Sequence, residues 1–285
     1  MKIVTDSAVD LPEEMFEQYG IERLPLLINF GTESLRSGID IQAEEFYRRL
    51  MANRDNLPTT SQPSVGDFRD LYRRVSQTDK DIVSVHISSG LSGTINAAAQ
   101  AAKECPDLSI TLIDTKTLSA AEGFQVVAAA QAIRRGWPLE KLKQRVQEVA
   151  DQTDIFFTLD TLHYLQKGGR IGRVQAMAGS LLNLKPVITV DKGPGTYITV
   201  AKGRSMSKSV TLIADQVQEK MKDRPAWVHV LHTNSPDQAQ ALHELIQTRL
   251  PNARLTRGQI VPVLGVHTGP GCVGAVCGPQ DVLDD

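Results

Sequence analysis

Residues 83–102 read VSVHISSGLSGTINAAAQAA, a strand, a small-residue turn and a helix in immediate succession. The run 81–87 is apolar and β-branched, as a buried strand requires. Ser88, Ser89, Gly90, Ser92, Gly93 and Thr94 then crowd hydroxyls and glycines into one turn, and the alanine-rich run 97–102 propagates as helix. Such a turn aims backbone N–H groups and hydroxyls at one spot beside the positive end of a helix macrodipole, which makes it a candidate anion site. An ordinary βα loop whose hydroxyls merely cap the helix fits the same residues.

Outward from this unit the alternation continues. Upstream, 2–5 reads as a first strand ending at Asp6-Ser7, and Pro12-Glu13-Glu14 opens a helix with acids at its positive end. A second strand is expected over 21–30, and a short amphipathic helix over 44–52 with Phe46, Tyr47 and Leu50 on one side. The segment LPTTSQPS at 57–64 holds two prolines, so Thr59, Thr60, Ser61 and Gln62 offer side-chain hydrogen bonds with no helix or sheet of their own to serve. Ser64 with Asp67 caps a helix running to about 76. Downstream come a strand over 109–115, a long alanine-rich helix over 118–135 stopped by Gly136 and Pro138, and a helix over 138–152. Strands alternating with helices imply parallel strands, right-handed crossovers and ligands at the carboxyl ends of the strands.

The second half changes character. A strand is expected over 155–159, a helical turn over 162–169 and a helix over 173–184. Runs 185–190 and 196–201 form a β-hairpin closed by DKGPG at 191–195. A helix over 207–223, a strand over 227–232 and a helix capped by Asn234-Ser235-Pro236 and reaching 250 follow. Two apolar runs, 259–266 and 272–276, flank His267-Thr268-Gly269-Pro270-Gly271, so His267 is expected between a strand and a Gly-Pro-Gly turn. The fold class is therefore α/β in two domains: residues 1–152 with an open, mostly parallel sheet and flanking helices, and residues 153–285 with a mixed sheet.

Composition narrows the function. The chain of 285 residues has 41% hydrophobic and 22% charged residues, as a soluble globular protein does. No apolar run approaches the roughly 20 residues of a membrane span, and the first strand replaces a secretory signal, so a cytoplasmic location without stable membrane insertion is expected. Three cysteines make no disulfide framework, and Cys272 and Cys277, five apart, would face opposite sides of a strand. No metal site is expected. A net charge of −2 argues against a nucleic-acid partner, yet residues 167–208 hold eight basic side chains against one acid, Asp191.

Ser92 with His267 invites a serine hydrolase acting on acyl esters. The nucleophile elbow G-x-S-x-G fails because Thr94 stands at the last glycine, and no Asp offers itself as the orienter of His267. A phosphate loop fails as well, since no G-K-[ST] follows the glycines. Arg170 and Arg173 follow Gly168-Gly169, where flexible backbone can bring a guanidinium to an anion, and Lys202-Gly203-Arg204 repeats the pattern; a solvated basic face is the plain alternative. Together Thr60, Ser92 and His267 suggest a site for one carboxylate or phosphate.

The order and spacing of Asp6-Ser7, Thr60-Ser61-Gln62-Pro63-Ser64, Ser88-Ser89-Gly90-Leu91-Ser92-Gly93-Thr94, Lys167-Gly168-Gly169-Arg170-Ile171, Lys185-Pro186 and His267-Thr268-Gly269-Pro270-Gly271 resemble the DegV family over nearly the whole chain. Arg204-Ser205 departs slightly, many relatives having Arg-Thr there. That family includes the fatty-acid-binding subunits of bacterial fatty acid kinase. The resemblance implies a non-enzymatic carrier without a cofactor that holds one long-chain fatty acid between its domains, in the service of phospholipid synthesis. Its carboxylate would lie at Thr60, Ser92 and His267, with Ser61, Ser89 and Gly93 close by. Arg170, Arg204 and Arg173 would meet the phosphate or a separate ATP-dependent kinase, and an acyltransferase would be a further partner. Neutral hydroxyls and a histidine able to take a proton suit a buried carboxylate better than a fixed charge.

Overall fold

The computed structural model describes residues 1–53, 56–174, 184–222 and 224–283. Four strands form a wholly parallel sheet in the order β2 (Ile21–Leu24), β1 (Lys2–Asp6), β6 (Asp81–His86), β7 (Ser109–Asp114). Strands β1 and β6 lie at its centre and are buried on both faces, which explains why they read as continuous apolar runs. One face is covered by α3 (Val65–Val75) and α4 (Thr94–Lys103), where Phe68 and Tyr72 pack with Ala97, Ala98 and Ala101. The expected capping box is formed: Asp67 N–H donates to Ser64 Oγ and Ser64 N–H to Asp67 Oδ2.

The expected strand over 21–30 is two strands in different sheets. Pro25 lacks the N–H a ladder needs, and after it β3 (Leu27–Phe30) pairs antiparallel with β4 (Glu33–Arg36) and β5 (Thr59–Ser61). The segment 57–64 thus does serve a sheet, with Thr60 opposite Ile28. The amphipathic helix is α2 (Ala43–Ala52), with Phe46, Tyr47 and Leu50 buried as expected.

The second sheet has six strands in the order β10 (Thr196–Gly203), β9 (Lys185–Asp191), β8 (Asp154–Thr158), β13 (Val273–Pro279), β11 (Ala226–His232), β12 (Arg254–Gln259). Its hairpin β9–β10 is antiparallel and β11–β12 parallel, so the sheet is mixed, as the fold class requires. Helices α8 (Met206–Met221) and α9 (Pro236–Arg249) cover its outer face, after the short α7 (His163–Lys167) on the connection from β8. The expected helix over 173–184 falls mainly outside the described residues; Gly172–Val174 is a 3₁₀ turn. The run 259–266 is not a strand. β12 ends at Gln259, and Pro262 opens a helix, α10 (Pro262–Thr268), so His267 stands in the last turn of a helix. A short apolar run has no period that separates strand from helix; Pro262 at the first helical position was the signal.

Between the two sheets lies α5 (Ser119–Arg134), the expected long helix, followed by α6 (Leu139–Gln152). Fourteen of the sixteen residues of α5 are buried, on all sides rather than along one stripe. Phe124 stacks on Trp227 of β11 with centroids 3.9 Å apart and planes at 13°. A Cβ on Gly278 of β13 would stand 2.7 Å from Phe124, and one on Gly123 would stand 2.7 Å from Leu11, so both glycines are required by close approach. Helix α1 (Glu13–Tyr19) packs on the same helix.

This helix buries Glu122 completely, and desolvation first, then the charges of Asp6 and Asp10, push its carboxyl well above the usual range. Asp10 is likewise raised to about 7 by burial, against hydrogen bonds from Ser119 Oγ and the Val261 N–H. A raised folded-state value means that stability is complete below the unfolded value and declines as pH rises toward the folded one. Glu122→Gln is therefore expected to flatten the loss of denaturant stability between pH 5 and pH 8. Phe124→Ala, which empties the inter-sheet stack, should cost about 3–5 kcal/mol in denaturant unfolding.

Candidate functional site

A cleft of about 590 Å³ opens where β5, α7 and α10 meet. Thr60 comes from β5, Tyr164 and Lys167 from α7, Gly168 and Arg170 from the turn after it, and Val266 and His267 from the end of α10. His267 Nε2 and Thr60 Oγ1 are 2.8 Å apart. A Cβ on Gly168 would stand 2.2 Å from His267 Nδ1, so a glycine is what lets α7 close over the imidazole. Nδ1 is buried and without a partner among the described residues. Burial, and after it the Arg170 guanidinium, push the imidazole down to about 4. His267 is therefore neutral at pH 7 in the ligand-free protein.

Arg170 is half-buried and pins two loops, donating from Nη1 to the Gly168 carbonyl at 2.7 Å and from Nε to the Leu91 carbonyl at 3.2 Å. The second bond ties the turn of residues 88–94, with Ser92 one residue beyond Leu91, to Arg170, but neither Ser92 nor any other residue of that turn lines the cleft. Ser92 Oγ is 2.8 Å from Thr94 Oγ1 and accepts from the Thr94 N–H. The hairpin locks this turn from the other side: Ser88 Oγ donates to the Gly195 carbonyl at 2.8 Å, and a Cβ on Gly90 would stand 2.4 Å from the Pro194 carbonyl oxygen. Gly90 thus serves close packing, and Gly93 lies against the Gln62 side chain. Gly93 and Ser61 share with Thr60 a neighbouring groove at the start of α4.

Of the other expected residues, Ser89 is exposed and its hydroxyl accepts from Lys116 Nζ at 3.1 Å. Arg173 is exposed and pairs with Asp191 at 3.3 Å, and Arg204 is exposed after β10; neither lines the cleft. The cleft adds His163, Tyr164 and Lys167, which the sequence reading had not assigned to the site; their place three to seven residues before Arg170 was the available signal. A hydrolase is not supported. His267 Nε2 is engaged by Thr60, and no bond joins Ser92 to His267 among the described residues. A Ser-His-Asp chain exists elsewhere, Ser84 to His86 at 2.7 Å and His86 to Asp6 at 3.0 Å, but every member is fully buried and Ser84 bonds Tyr72. It ties strands together. The described residues hold no cluster of three His, Cys, Asp or Glu side chains able to hold a metal.

An apolar cavity of about 30 Å³ lies on the other side of α10. Its wall includes Leu264 and Thr268 of α10, Leu118, Phe157, Tyr197 and Leu231, Cys272 just before β13, and Gly274 and Val276 of β13. Gly274 leaves room where a Cβ would meet the Phe157 Cβ at 2.7 Å. Cys272 and Cys277 do face opposite sides, in separate clusters, and both are free.

The sequence model of the DegV family, described as a family of uncharacterised proteins, matches residues 1–280. The chain belongs to the DegV family. A DegV domain-containing protein of Deinococcus radiodurans is 38% identical over 278 residues, covering 97% of this chain and 95% of its own. Among solved DegV-like structures, a fatty-acid-binding DegV family protein of Thermus thermophilus superposes with a TM-score of 0.90 at 30% identity, covering 98% of this chain and 99% of its own. A stearic acid-binding protein of Eubacterium ventriosum superposes with a TM-score of 0.87 at 27% identity, covering 98% of each chain. No helix among the described residues is long and apolar enough to cross a membrane.

In this DegV protein the imidazole depends on one hydroxyl. Thr60→Val leaves both ring nitrogens buried without partners and should cost about 1–3 kcal/mol in denaturant unfolding. Adding His267→Leu should recover part of that loss, since removing both partners is cheaper than orphaning one.

Proposed function

We propose that this chain carries one long-chain fatty acid between its two halves, residues 1–152 and 153–285, and presents the carboxylate to a separate ATP-dependent kinase. The single observation that carries the reading is the double role of α10. It gives Val266 and His267 to a cleft with two cations, Lys167 and Arg170, and gives Leu264 and Thr268 to an apolar cavity. An amphiphile with an acidic head and a long tail has those two requirements and needs them adjacent. Fatty acid binding by the solved DegV relatives supports the same reading.

In this account the carboxylate lies at Thr60, Ser92 and His267, with Ser61, Ser89 and Gly93 around them. The hydroxyls offer donors, the neutral imidazole adds no fixed charge, and Arg170 supplies the counter-charge. The kinase transfers the γ-phosphoryl of ATP to a carboxylate oxygen, giving acyl phosphate and ADP, and the carrier then yields the acyl phosphate to an acyltransferase. Arg204 and Arg173, both exposed, belong to the face that meets the kinase. No cofactor enters, and no chemical step belongs to the carrier itself.

Burying about 14 methylenes at ~0.8 kcal/mol each gives on the order of 11 kcal/mol before ordering and desolvation costs, enough for firm retention. The cavity of about 30 Å³ is the size of roughly two water spheres. A long chain therefore enters only as Leu118, Phe157, Leu231 and Leu264 part, and loading is coupled to movement of α10 against β13.

Protein purified from cells is expected to show, in native mass spectrometry, added mass that solvent extraction releases as fatty acid. Delipidated protein that takes up neither oleate nor palmitate refutes the reading. With uptake, free ligand at 100 times Kd should raise stability by about 2.7 kcal/mol, and amide exchange should slow along 262–276. Arg204→Ala should leave affinity within about twofold while slowing transfer by the kinase. Arg170→Ala should lower both, because Arg170 also holds the carbonyls of Leu91 and Gly168.

A further inference from the structure

His267 Nε2 and Thr60 Oγ1 stand 2.8 Å apart in the wall of the cleft, a distance that fits a hydrogen bond in either direction. A neutral imidazole carries one hydrogen, on Nδ1 or on Nε2. With the hydrogen on Nδ1, Nε2 is an acceptor and takes up the proton of the Thr60 hydroxyl. With the hydrogen on Nε2, the ring donates to Thr60 Oγ1, and the proton of that hydroxyl is left to turn elsewhere.

The surroundings of Nδ1 decide between the two. Nδ1 is buried and has no hydrogen-bond partner among the described residues. A Cβ on Gly168 would stand 2.2 Å from it. In glycine that direction is a Cα–H bond, so a hydrogen of Gly168 points at Nδ1. A ring N–H would meet that hydrogen head-on, whereas a lone pair receives it as a weak C–H···N contact. The Gly168 N–H is engaged on the other side, donating to the Tyr164 carbonyl at 2.9 Å. Buried N–H groups, moreover, are left without an acceptor less often than acceptors are left without a donor. Both arguments put the hydrogen on Nε2. Thr60 Oγ1 has no other hydrogen bond among the described residues, and Thr60 lines the cleft, so its proton is available there. Thr59 and Tyr164 also bring unengaged hydroxyls to the cleft, but no neighbour among the described residues sets their direction, and each can donate or accept.

We propose that His267 is a positioning group: Gly168 holds it as the Nε2–H tautomer, and that tautomer makes Thr60 a standing hydrogen-bond donor toward the headgroup of the bound acid. The cleft is thereby set for a ligand that brings an acceptor, as a carboxylate does. Gly168 acts on this choice through the ring, without touching the ligand. The ligand half of the proposal rests on the fatty-acid reading above.

The tautomer is read by nuclear magnetic resonance on delipidated wild type at pH 7 with isotopically labelled histidine, from the couplings of each ring nitrogen to the protons on the ring carbons. Among the six histidines of the chain, His267 is identified by the signals that vanish in His267→Gln. A protonated Nε2 and an unprotonated Nδ1 are expected; a protonated Nδ1, or the two forms in comparable amounts, overturns the proposal. This spectrum judges the tautomer whether or not any Thr60 variant folds. Palmitate is then titrated by calorimetry into delipidated wild type, Thr60→Val and Thr60→Ser, and hexadecane delivered from cyclodextrin is followed by displacement of a fluorescent alkyl probe. Loss of one donor to an ionised acceptor corresponds to about a tenfold weaker palmitate affinity in Thr60→Val. Hexadecane affinity there, and both affinities in Thr60→Ser, which keeps the hydroxyl, should stay within about twofold of wild type. Equal palmitate affinity in wild type and Thr60→Val overturns the proposal, as does a parallel loss for both ligands, which would mark Thr60 as packing only. Wild type that binds neither ligand overturns the carrier reading, and the ligand half of this proposal with it.

Discussion

Two sheets have to share one helix, and the rest of the molecule follows from how that is done. α5 receives β1 and β6 on one side and β11 and β13 on the other, so it can expose almost nothing and can carry little bulk. Seven alanines and glycines among its sixteen residues let both sheets approach, and Phe124 is the large group that reaches across to Trp227. Close packing of this kind transmits displacement from one layer to the next. The space left over beyond the N-terminal end of α5, at Leu118 and Ser119, is the apolar cavity.

That end of α5 is also where the polar residues of the interior collect. Ser119 holds a left-handed backbone, φ 62°, which a serine adopts only under tertiary constraint, and its hydroxyl is spent on Asp10. Asp10 accepts in turn from the N–H of Val261, the residue capping α10. One carboxyl therefore faces the positive ends of two helices, one from each half of the chain. Burial still outweighs those dipoles and raises the carboxyl to about 7, so that it is about half protonated at pH 7. The position of α10, and of His267 at its far end about 10 Å away, is thereby set from the N-terminal half.

Much of this was legible in the sequence, and the parts that were not share a cause. The strand–turn–helix unit around Ser88–Thr94, the capping box at Ser64 and Asp67, the β9–β10 hairpin and the alternation of strands and helices are written in local patterns, and each was readable. The break at Pro25, the pairing of Thr59–Ser61 with β3 and the helix of residues 262–268 depend on which sheet a short segment meets, which no local period records. The site divides the same way. Thr60, His267 and Arg170 stand in conspicuous polar or glycine-rich motifs and do converge on one cleft. Arg173 and Arg204 stand in equally conspicuous ones and do not, because a glycine next to a cation says nothing about the direction the side chain takes. His163 and Tyr164 carried no signal of their own, standing on a short helix that nothing local marks as part of a site.

The glycines make the distinction sharper. Gly90, Gly168, Gly274 and Gly278 could each be taken from sequence as flexible or anion-cradling positions, yet each is fixed by what lies within 3 Å of a missing Cβ: the Pro194 carbonyl, the His267 imidazole, the Phe156 carbonyl and Phe157 Cβ, the Phe124 ring. All four of these contacts join segments more than 90 residues apart. Cys272 just before β13 and Gly274, Val276 and Gly278 on it form the inward row, a sequence of small and medium side chains that admits a phenyl ring at one end and leaves unfilled space at the other. The same economy of volume that seats α5 between the sheets thus produces the cavity beside α10. A core built to let two layers touch through a slender helix leaves, at the end of that helix, an apolar gap bordered by the cleft's own wall.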